Sequence, residues 1–329
     1  MKDKVISDIG EKELIRILLE KRDKLLTEDD EDILDSYHDD AALIENTSKY
    51  TVVSTDTVIE HSDFPKAMTH YQMGAKAVTV NVSDILAMNA KPDSILISMA
   101  LPDDTKLEEF LELTDGILDK CMEYNITLIG GDISHNDEIM LTGTCIGKID
   151  CDVKLQSGIV EGNLIGVSGG LGSVGAALDL IYGVSADVED REDILKALYM
   201  PDVPLELSEK LRNNPKLTTG MTDITDGLAV ELGHLHDKNP GIGFEIYYDK
   251  LPYLKGLEKI AEANNKEVTE YLLHVGEEFE LLLTLDKKEY DKTELEEIHI
   301  IGKTNNSGRI TLVNDSVIEE IEPKGYEHI

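Results

Sequence analysis

Aspartate residues stand at the ends of apolar or β-branched segments, where a carboxylate needs water, a cation or a metal ion. Asp39 and Asp40 precede the apolar run 41–44, and Asp56 follows the β-branched and aromatic run 50–55. Aspartate is common in turns, so any one of these three residues alone is explained as a turn former. The question is whether they belong to a larger set of acidic side chains with a common ligand.

Four more aspartates extend this set. Asp84 lies in an apolar stretch, Asp132 follows a short apolar segment and two glycines, and Asp223 and Asp226 precede a predicted helix. Taken singly, Asp226 is typical of a helix N-cap and Asp132 of a turn. Taken together, acids without matching Lys or Arg residues need a cationic partner if they converge. The pattern predicts Mg²⁺, which prefers oxygen ligands and bridges carboxylates to phosphates.

A glycine-rich segment, Gly170-Leu171-Gly172-Ser173-Val174-Gly175, fits the Gly-x-Gly-x-x-Gly pattern between a predicted strand and a predicted helix. That context is typical of dinucleotide-binding folds. The acidic residue that this fingerprint requires about 20 residues later, at the end of a second parallel strand, is missing. We therefore reject a nicotinamide cofactor. Two roles stay open for the loop, a backbone geometry that needs glycine or a contact with phosphate.

The overall composition indicates a globular protein that repels other polyanions. The chain has 329 residues, of which 41% are hydrophobic, and 31 basic and 67 acidic residues give a formal net charge of −36. Such a surface disfavours nucleic acid and anionic membranes as partners. No apolar run reaches the roughly 18 residues of a membrane span, no secretory segment follows Met1, and the three cysteines lack metal-ligand spacing. We expect a cytoplasmic protein.

Hydrophobic periodicity predicts strands and helices in both halves of the chain, which indicates an α/β or α+β fold. In the first half it predicts helix 11–24, strand 50–55, a helix 68–87 interrupted or kinked near Asn81, strand 94–100, helix 105–123, and strands 127–129 and 137–147. In the second half it predicts strand 164–167, a helix through 182, helices 204–212 and 227–237, and strands near 244–248, 279–285 and 298–301. The polar stretch 150–162 separates the halves, so we expect domains 1–150 and 151–329.

Several short motifs occur in order along nearly the whole chain. They are Gly10-Glu11-Lys12-Glu13-Leu14-Ile15, His38-Asp39-Asp40-Ala41-Ala42, Ser54-Thr55-Asp56-Thr57, Asn81-Val82-Ser83-Asp84, Gly130-Gly131-Asp132, Asp223-Ile224-Thr225-Asp226-Gly227-Leu228, Gly276-Glu277-Glu278-Phe279-Glu280-Leu281 and Lys324-Gly325-Tyr326. In type and order they resemble those of the thiamine-monophosphate kinase family. That family belongs to an ATP-binding superfamily with aminoimidazole ribonucleotide synthetase, selenophosphate synthetase and a hydrogenase maturation protein.

The resemblance implies an α/β protein of two domains, whose N-terminal domains pair into a homodimer around a shared β-barrel, with ATP and several Mg²⁺ ions in a groove between the domains. By motif position it implies metal ligands at Asp40, Ser54, Thr55, Asp56, Asp84, Asp132, Asp223 and Asp226, with Asp84, Asp132 and Asp223 as the catalytic carboxylates. It implies ATP contacts at Gly131, Asp132, Gln156 and Thr225. It implies contacts with the phosphate acceptor at Asp63, Glu277 and Pro323.

Three of these positions depart from the family pattern. Asp63 replaces a substrate-contacting His, Gln156 replaces an ATP-contacting Arg, and Pro323 replaces an aromatic residue over the thiamine ring. Either His61 supplies the missing acceptor contact or Asp63 binds a further cation, and we favour the cation. The activity implied is ATP-dependent phosphorylation of thiamine monophosphate to thiamine diphosphate. The alternatives are an enzyme similar to aminoimidazole ribonucleotide synthetase and a nucleotide-binding regulator without turnover.

Overall fold

The chain folds into two units, each built around a β-sheet with helices packed on it. In the computed structural model the described residues are 5–6, 9, 11–24, 33–34, 43–44, 48–150, 154–293 and 295–325. The first unit comprises Met1–Ile85 and Ala90–Asp150, and the second comprises Leu86–Asn89 and Cys151–Ile329. None of the helices in these described stretches is long and apolar enough to cross a membrane.

The first unit is organised by a four-stranded sheet. Its elements are α1 (Glu11–Asp23), β1 (Ile33–Leu34), β2 (Leu43–Ile44), β3 (Tyr50–Ile59), α2 (Glu60–Asp63), α3 (His70–Ala87), β4 (Lys91–Leu101), α4 (Leu107–Glu123), β5 (Thr127–His135) and β6 (Met140–Ile149). The strand order is β3-β6-β4-β5, antiparallel except for the parallel pair β4 and β5. Strands β1 and β2 form a separate antiparallel pair.

Helices α3 and α4 pack together and on one face of this sheet, and glycines permit the close approach. A Cβ at Gly74 of α3 would lie 2.1 Å from the carbonyl oxygen of Leu113 in α4. A Cβ at Gly147 of β6 would lie 2.4 Å from Cγ2 of Ile85 in α3. Real Cβ atoms are not found this close to other atoms, so the packing requires glycine at both positions.

The opposite face of the four-stranded sheet is exposed. Residues 51, 53, 55 and 57 of β3, with residues 140, 142, 144, 146 and 148 of β6, form this surface, which we call the open face. Val53, which lies opposite Ile146, is 60% exposed. In the described part of the chain the four strands form an open sheet rather than a closed barrel.

The second unit contains a seven-stranded sheet. Its elements are β7 (Leu164–Val167), α5 (Ser173–Ile181), α6 (Arg191–Tyr199), α7 (Leu205–Arg212), β8 (Thr218–Asp223), α8 (Leu228–Lys238), β9 (Gly243–Tyr247), α9 (Gly256–Ala263), α10 (Val268–His274), β10 (Leu281–Leu285), α11 (Lys287–Tyr290), β11 (His299–Asn305), β12 (Ile310–Asn314) and β13 (Val317–Glu320). The strand order is β13-β12-β9-β11-β7-β10-β8, and only β12 and β9 run parallel.

A continuous apolar core joins this sheet to helices α5, α6, α8, α9 and α10. Val167 of β7, Leu232 of α8 and Leu257 of α9 are fully buried in it. Strand β7, which precedes the glycine-rich loop, pairs antiparallel with both β10 and β11. The loop is therefore not part of a parallel βαβ unit, which agrees with the rejection of a dinucleotide fold.

Most predicted elements are present, and two local predictions are wrong. The helix predicted over 68–87 is α3, and it runs without interruption through Asn81. The side chain of Asn81 accepts from the Asp56 amide of β3 and donates to the Ala77 carbonyl of α3, so its polar atoms are paired while the helix stays regular. The N-cap of α8 is Gly227, with φ 110°, so Asp226 is not the N-cap residue.

Candidate functional site

The predicted site residues that the structure describes in the first unit lie on β3, α2, α3 and β5. Asp39 and Asp40 lie outside the described residues. The Ser54 hydroxyl donates a hydrogen bond to the carboxylate of Asp84. Asp84 is half-buried on an otherwise buried stretch of α3, and no Lys or Arg of the described residues forms an ion pair with it. The structure thus places a serine hydroxyl and an unneutralised carboxylate side by side.

Asp56 lies two residues beyond Ser54 on the same face of β3. Its main-chain N–H donates to Oδ1 of Asn81, with a nitrogen–oxygen distance of 2.9 Å. Asn81 is 1% exposed, and its amide nitrogen donates to the carbonyl oxygen of Ala77 at 2.9 Å. The sequence Asn81-Val82-Ser83-Asp84 therefore contributes two residues that contact β3.

Thr55 and Asp132 lie on the other face of the sheet from Ser54 and Asp84. Thr55 belongs to the open face, where its hydroxyl donates to the carbonyl oxygen of Gly143 at 2.6 Å. Asp132 is exposed on β5 and pairs in register with Ser98 of β4, which is on the open side. Three strand spacings separate β3 from β5, about 14 Å in all. Within this unit the predicted ligands fall into two groups.

Asp63 lies at the end of the short helix α2 and is used locally. Its carboxylate accepts from the N–H of Ile59 at 2.7 Å and from the hydroxyl of Ser62 at 2.8 Å. Its carbonyl oxygen accepts from the ammonium group of Lys76, which is 1% exposed, at 2.8 Å. These bonds fix the turn. His61, two residues earlier, is exposed.

In the second unit, the two segments 223–227 and 276–280 lie side by side. Three main-chain hydrogen bonds join them: Ile224 N–H to Glu280 at 2.8 Å, Glu277 N–H to Thr225 at 2.8 Å and Phe279 N–H to Ile224 at 3.1 Å. A Cβ at Gly276 would lie 1.9 Å from the carbonyl oxygen of Thr225. These contacts therefore bring the predicted site residues of the two segments close together: Asp223, Thr225, Asp226 and Glu277.

The segment 276–280 has an unusual backbone. Glu277 and Phe279 have φ values of 64° and 53°, a left-handed conformation that non-glycine residues rarely adopt. Such strain persists where the surrounding structure enforces it, and it occurs often at functional sites. With this backbone, Glu277 is half-buried and the next residue, Glu278, points into the interior.

Glu278 occupies the N-terminus of α5, where the glycine-rich loop ends. The main-chain amides of Gly172 and Val174 lower its pKa, which places its carboxyl group beside them, and its Oε1 has no hydrogen-bond partner. Burial raises the pKa of Glu278 to about 8, and the neighbouring charges of Glu280 and Glu277 add to the shift. An internal, buried carboxyl group thus occupies the position beside the α5 N-terminus where a phosphate would bind. The geometry favours the backbone role for the loop.

Glu280 and Glu231 are two further acids that contact the segments around Asp223 and Thr225. Glu280 accepts a hydrogen bond from the Ser168 hydroxyl, and loss of solvent raises its pKa to about 7. Glu231 of α8 is 3% exposed, and its carboxylate faces the hydroxyl of Thr225 at 3.5 Å. Burial raises the pKa of Glu231, and the hydrogen bond from His234 opposes that shift.

Gln156 and Pro323 also lie in the second unit. The Gln156 side chain donates to the hydroxyl of Thr222 at 3.0 Å and accepts from the ammonium group of Lys238 at 2.5 Å. Pro323 packs on α8, where a Cβ at Gly233 would lie 2.6 Å from the Cβ of the proline. Both residues therefore lie next to the segments that flank Asp223, one at β8 and one at α8.

The donors of the first unit fit Mg²⁺ in chemistry, although they do not form a full coordination shell. Ser54 and Asp84 provide hard oxygen atoms, the ligand type that Mg²⁺ prefers, and no Lys or Arg among the described residues pairs with them. Among the described residues no three Asp, Glu, His or Cys side chains are grouped so that they could hold a metal ion. Mg²⁺ usually keeps several water or phosphate ligands, so few protein oxygens suffice.

Sequence reasoning did not assign roles to Asn81, Glu231 or Glu278. A signal for two of them exists in the sequence. Glu231 interrupts the apolar run Leu228-Ala229-Val230, and Asn81 lies between valines in an apolar helix. A buried polar residue in such a position needs a hydrogen-bond partner, so it points to a contact with another segment.

Comparison with known proteins identifies relatives for the whole chain. Residues 38–149 match the family described as AIR synthase related protein, N-terminal domain. The thiamine-monophosphate kinase of Methanocaldococcus jannaschii is 32% identical over 93% of this chain and 96% of its own length. That of Aquifex aeolicus is 30% identical over 88% of this chain and 92% of its own length.

Solved structures give the same result. The crystal structure of thiamine-monophosphate kinase from Stenotrophomonas maltophilia superposes with a TM-score of 0.77 at 25% identity, covering 92% of this chain and 94% of that one. AaThiL complexed with AMPPCP and TMP superposes with a TM-score of 0.76 at 26% identity, covering 98% of both chains. From its identity to these relatives over nearly their full length, the chain belongs to the thiamine-monophosphate kinase family.

Proposed function

We propose that the protein transfers the γ-phosphoryl group of ATP to thiamine monophosphate, giving thiamine diphosphate and ADP. The observation that carries this proposal is the likeness, over 98% of both chains, to the AaThiL structure solved with AMPPCP and TMP. The hydroxyl and carboxylate groups around β3 and the strained acidic segment 276–280 supply the polar chemistry that such a reaction requires.

The reaction does not need a general base to deprotonate the nucleophile. A phosphate oxygen of the acceptor attacks the γ-phosphorus, the bond to the β–γ bridging oxygen breaks, and ADP leaves. The attacking oxygen is already anionic near neutral pH, so the protein must mainly bring two anions together and align them. Bound Mg²⁺ would supply the positive charge that this approach needs.

In the first unit we assign Mg²⁺ ligands to oxygen atoms on both faces of the sheet, with separate ions on each face. Ser54, Asp56 and Asp84 would bind one ion on the α3 side, and Thr55 and Asp132, which lie three strand spacings apart, would bind different ions on the open side. Gly131 would let the nucleotide approach the main chain closely beside Asp132. These assignments rest on motif position and on the donor chemistry of the residues.

In the second unit we assign metal binding to Asp223 and Asp226 and nucleotide contact to Thr225 and Gln156. Glu277 would bind the thiamine end of the acceptor, because its carboxylate is opposite in charge to the thiazolium ring. The left-handed backbone at Glu277 supports this role, since strain of this kind is retained where a side chain must point in one direction.

We also propose that two chains form a homodimer through the open face of the first unit. Val53, at 60% exposed, and the half-buried Ile146 opposite it form an apolar strip on this face. Among the described strands, β3 and β5 are the edges of this sheet, and an edge strand can pair with another chain. A second copy would cover the apolar strip and remove the open edges.

The direct test is turnover of purified protein with ATP and Mg²⁺. Thiamine diphosphate and ADP should form in equal amounts from thiamine monophosphate, and free thiamine should give neither because it lacks the phosphate nucleophile. Excess chelator should abolish turnover, and added Mg²⁺ should restore it. Turnover of an aminoimidazole-pathway substrate but not of thiamine monophosphate would place the protein in another branch of its superfamily. ATP binding without any product would identify a regulator.

A further inference from the structure

Helix α3 contacts β3 and α2 through three polar side chains that follow one another along the helix. The three pairs, in order along α3, are Lys76 with the Asp63 carbonyl, Asn81 with the Asp56 amide and Asp84 with the Ser54 hydroxyl. The partners occur in the reverse order along the chain, so helix and strand run antiparallel at this contact. We call these three pairs the polar seam.

Asn81 forms the central pair of the polar seam, and its orientation is fixed from both ends of its amide group. Oδ1 accepts from the N–H of Asp56, and Nδ2 donates to the carbonyl oxygen of Ala77, each at 2.9 Å. The side chain is 1% exposed, so loss of either bond would leave a polar group without water. Neither bond involves a side chain of a predicted ligand.

Gly143 of β6 provides the space that Asn81 occupies. It lies directly opposite Asp56 in the β3–β6 register. A Cβ at this position would lie 2.2 Å from Nδ2, 2.5 Å from Cγ and 2.8 Å from Oδ1 of Asn81. All three atoms nearest to that Cβ belong to the one side chain, so any residue larger than glycine must displace Asn81.

We propose that Asn81 is a positioning residue, which holds the strand segment Ser54–Asp56 against α3 so that Ser54 and Asp84 stay together, and that Gly143 is required because it admits Asn81. The inference rests on the proposed function only for the role of Ser54, Asp56 and Asp84 as metal ligands. Without the Asn81 bond, β3 can slide along α3, and the oxygen atoms on strand and helix separate.

The test compares Asn81→Leu with Thr79→Val. Both substitutions keep the number of side-chain heavy atoms and remove hydrogen bonds from buried positions on α3. Thr79 is 0% exposed, and its hydroxyl lies 3.1 Å from that of Tyr124, next to α4 rather than β3. Two quantities are measured: the Mg²⁺ concentration that gives half-maximal turnover, and the Mg²⁺ concentration that gives half of the metal-induced rise in Tm of nucleotide-free protein.

Asn81→Leu should raise both Mg²⁺ midpoints by roughly 10-fold, as is usual when a residue supporting metal ligands is lost. Thr79→Val should lower Tm and leave both midpoints unchanged. Asn81→Asp keeps the acceptor for Asp56 and should hold the midpoints at or below the wild-type values. If the midpoints of Asn81→Leu match those of Thr79→Val, Asn81 is only structural and the inference is wrong.

Two further results keep the test decisive. Should Asn81→Leu fail to fold, Gly143→Ala replaces it, because the added methyl group pushes on Asn81 without changing it. A Gly143→Ala protein with normal Mg²⁺ midpoints would overturn the inference. The Tm measurement does not depend on the acceptor. If thiamine monophosphate is not turned over, the proposed function fails, whereas the metal midpoints of the variants still decide the role of Asn81.

Discussion

Asp84 and Asp63 show how contacts separate acids of the same type. Asp84 lies half-buried on α3 and accepts a hydrogen bond from Ser54, so its charge is available to a cation. Asp63 accepts from the Ile59 amide and the Ser62 hydroxyl, so its carboxylate already holds a turn together. A metal ion competes poorly for a carboxylate whose hydrogen bonds maintain the local backbone.

Replacing Asp84 with Asn tests this distinction. The amide keeps the shape and can still accept from Ser54, while the charge is lost. We expect a folded protein whose turnover falls by at least ~10²-fold, a loss typical of removing charge stabilisation from a transition state. Asp119→Asn on α4, where the carboxylate accepts from the hydroxyl of Tyr71, is the matched control and should retain turnover. An Asp84→Asn protein that melts early but turns over normally would indicate a structural role.

Glu278 gives the protein a pH-dependent stability. Its pKa of about 8 in the folded protein exceeds the ordinary 4.5, so the unfolded chain releases this proton at lower pH than the folded chain does. The free energy of unfolding therefore decreases from about pH 4.5 to about pH 8. Glu278→Gln removes this titration and leaves that of Glu280 in place. The Tm of the wild type should fall relative to that of the variant over this range.

Melting curves at half-unit steps between pH 5 and pH 9 would measure this difference. The same Tm gap at every pH would contradict the assignment, because a fixed gap reflects packing rather than proton release.

For single residues, the sequence indicated which side chains belong to the candidate site better than it indicated what each of them contacts. The acidic series and the motif positions were readable, because Asp next to glycine or β-branched residues is rare enough to notice. The N-cap interpretation of Asp226 taken singly is wrong because Gly227, with φ 110°, is the N-cap residue, whereas its assignment as a metal ligand stays a prediction. Glu278 could not be assigned, since its partners Gly172 and Val174 are more than 100 residues away and only tertiary structure brings them together.

Among the elements, the parallel pair β4–β5 requires a glycine next to Asp132. A Cβ at Gly131 would lie 1.9 Å from the carbonyl oxygen of Ile97, whereas a Cβ at Gly130 would meet only Cδ2 of Leu96 at 3.6 Å. The first distance is a clash with main chain, which cannot move away without breaking the ladder. The second is ordinary van der Waals contact. Glycine is therefore required sterically at position 131, whereas position 130 has room for a Cβ.

Gly131→Ala and Gly130→Ala form a matched pair that tests this difference. Gly131→Ala should lower Tm by several degrees and turnover by at least ~10-fold, since overpacking costs about 1–3 kcal/mol and shifts the strand that carries Asp132. Gly130→Ala should stay close to wild type in both. Equal effects of the two substitutions, measured by thermal melts and turnover, would show that the strand does not need this glycine.

Strand and helix boundaries were predictable where an apolar pattern continues to the end of the element. Helices α1 and α4 have such patterns and were predicted to within two residues. Strand β5 extends six residues beyond the predicted end at Ile129, to His135, through glycines and polar residues. Strand β8, Thr218–Asp223, was missed because it is rich in Thr and contains Gly220. These polar strand ends carry Asp132 and Asp223.

For the whole molecule, the expected state is a homodimer of two 36.5 kDa chains. Val53→Asp places a charge in the apolar strip of the open face and should produce monomers, because an unpaired buried charge is costly at an interface. Ile318→Asp on β13, where the residue is 68% exposed, is the control and should remain dimeric. Sedimentation velocity distinguishes the two masses. A monomeric wild-type protein would contradict the dimer proposal.

The position of β3 at the sheet edge has a consequence for biosynthesis. Among the strands that the structure describes, β3 pairs with β6 alone, from Tyr50 opposite Ile149 to Ile59 opposite Met140. On a translating ribosome, the segment that carries Ser54 and Asp56 therefore meets this partner strand when almost half of the polypeptide has been made. Closing a loop of this length is slow compared with local folding. The β-branched residues Val52 and Val53 are made long before β6, so this segment of the nascent chain is exposed to aggregation during that interval.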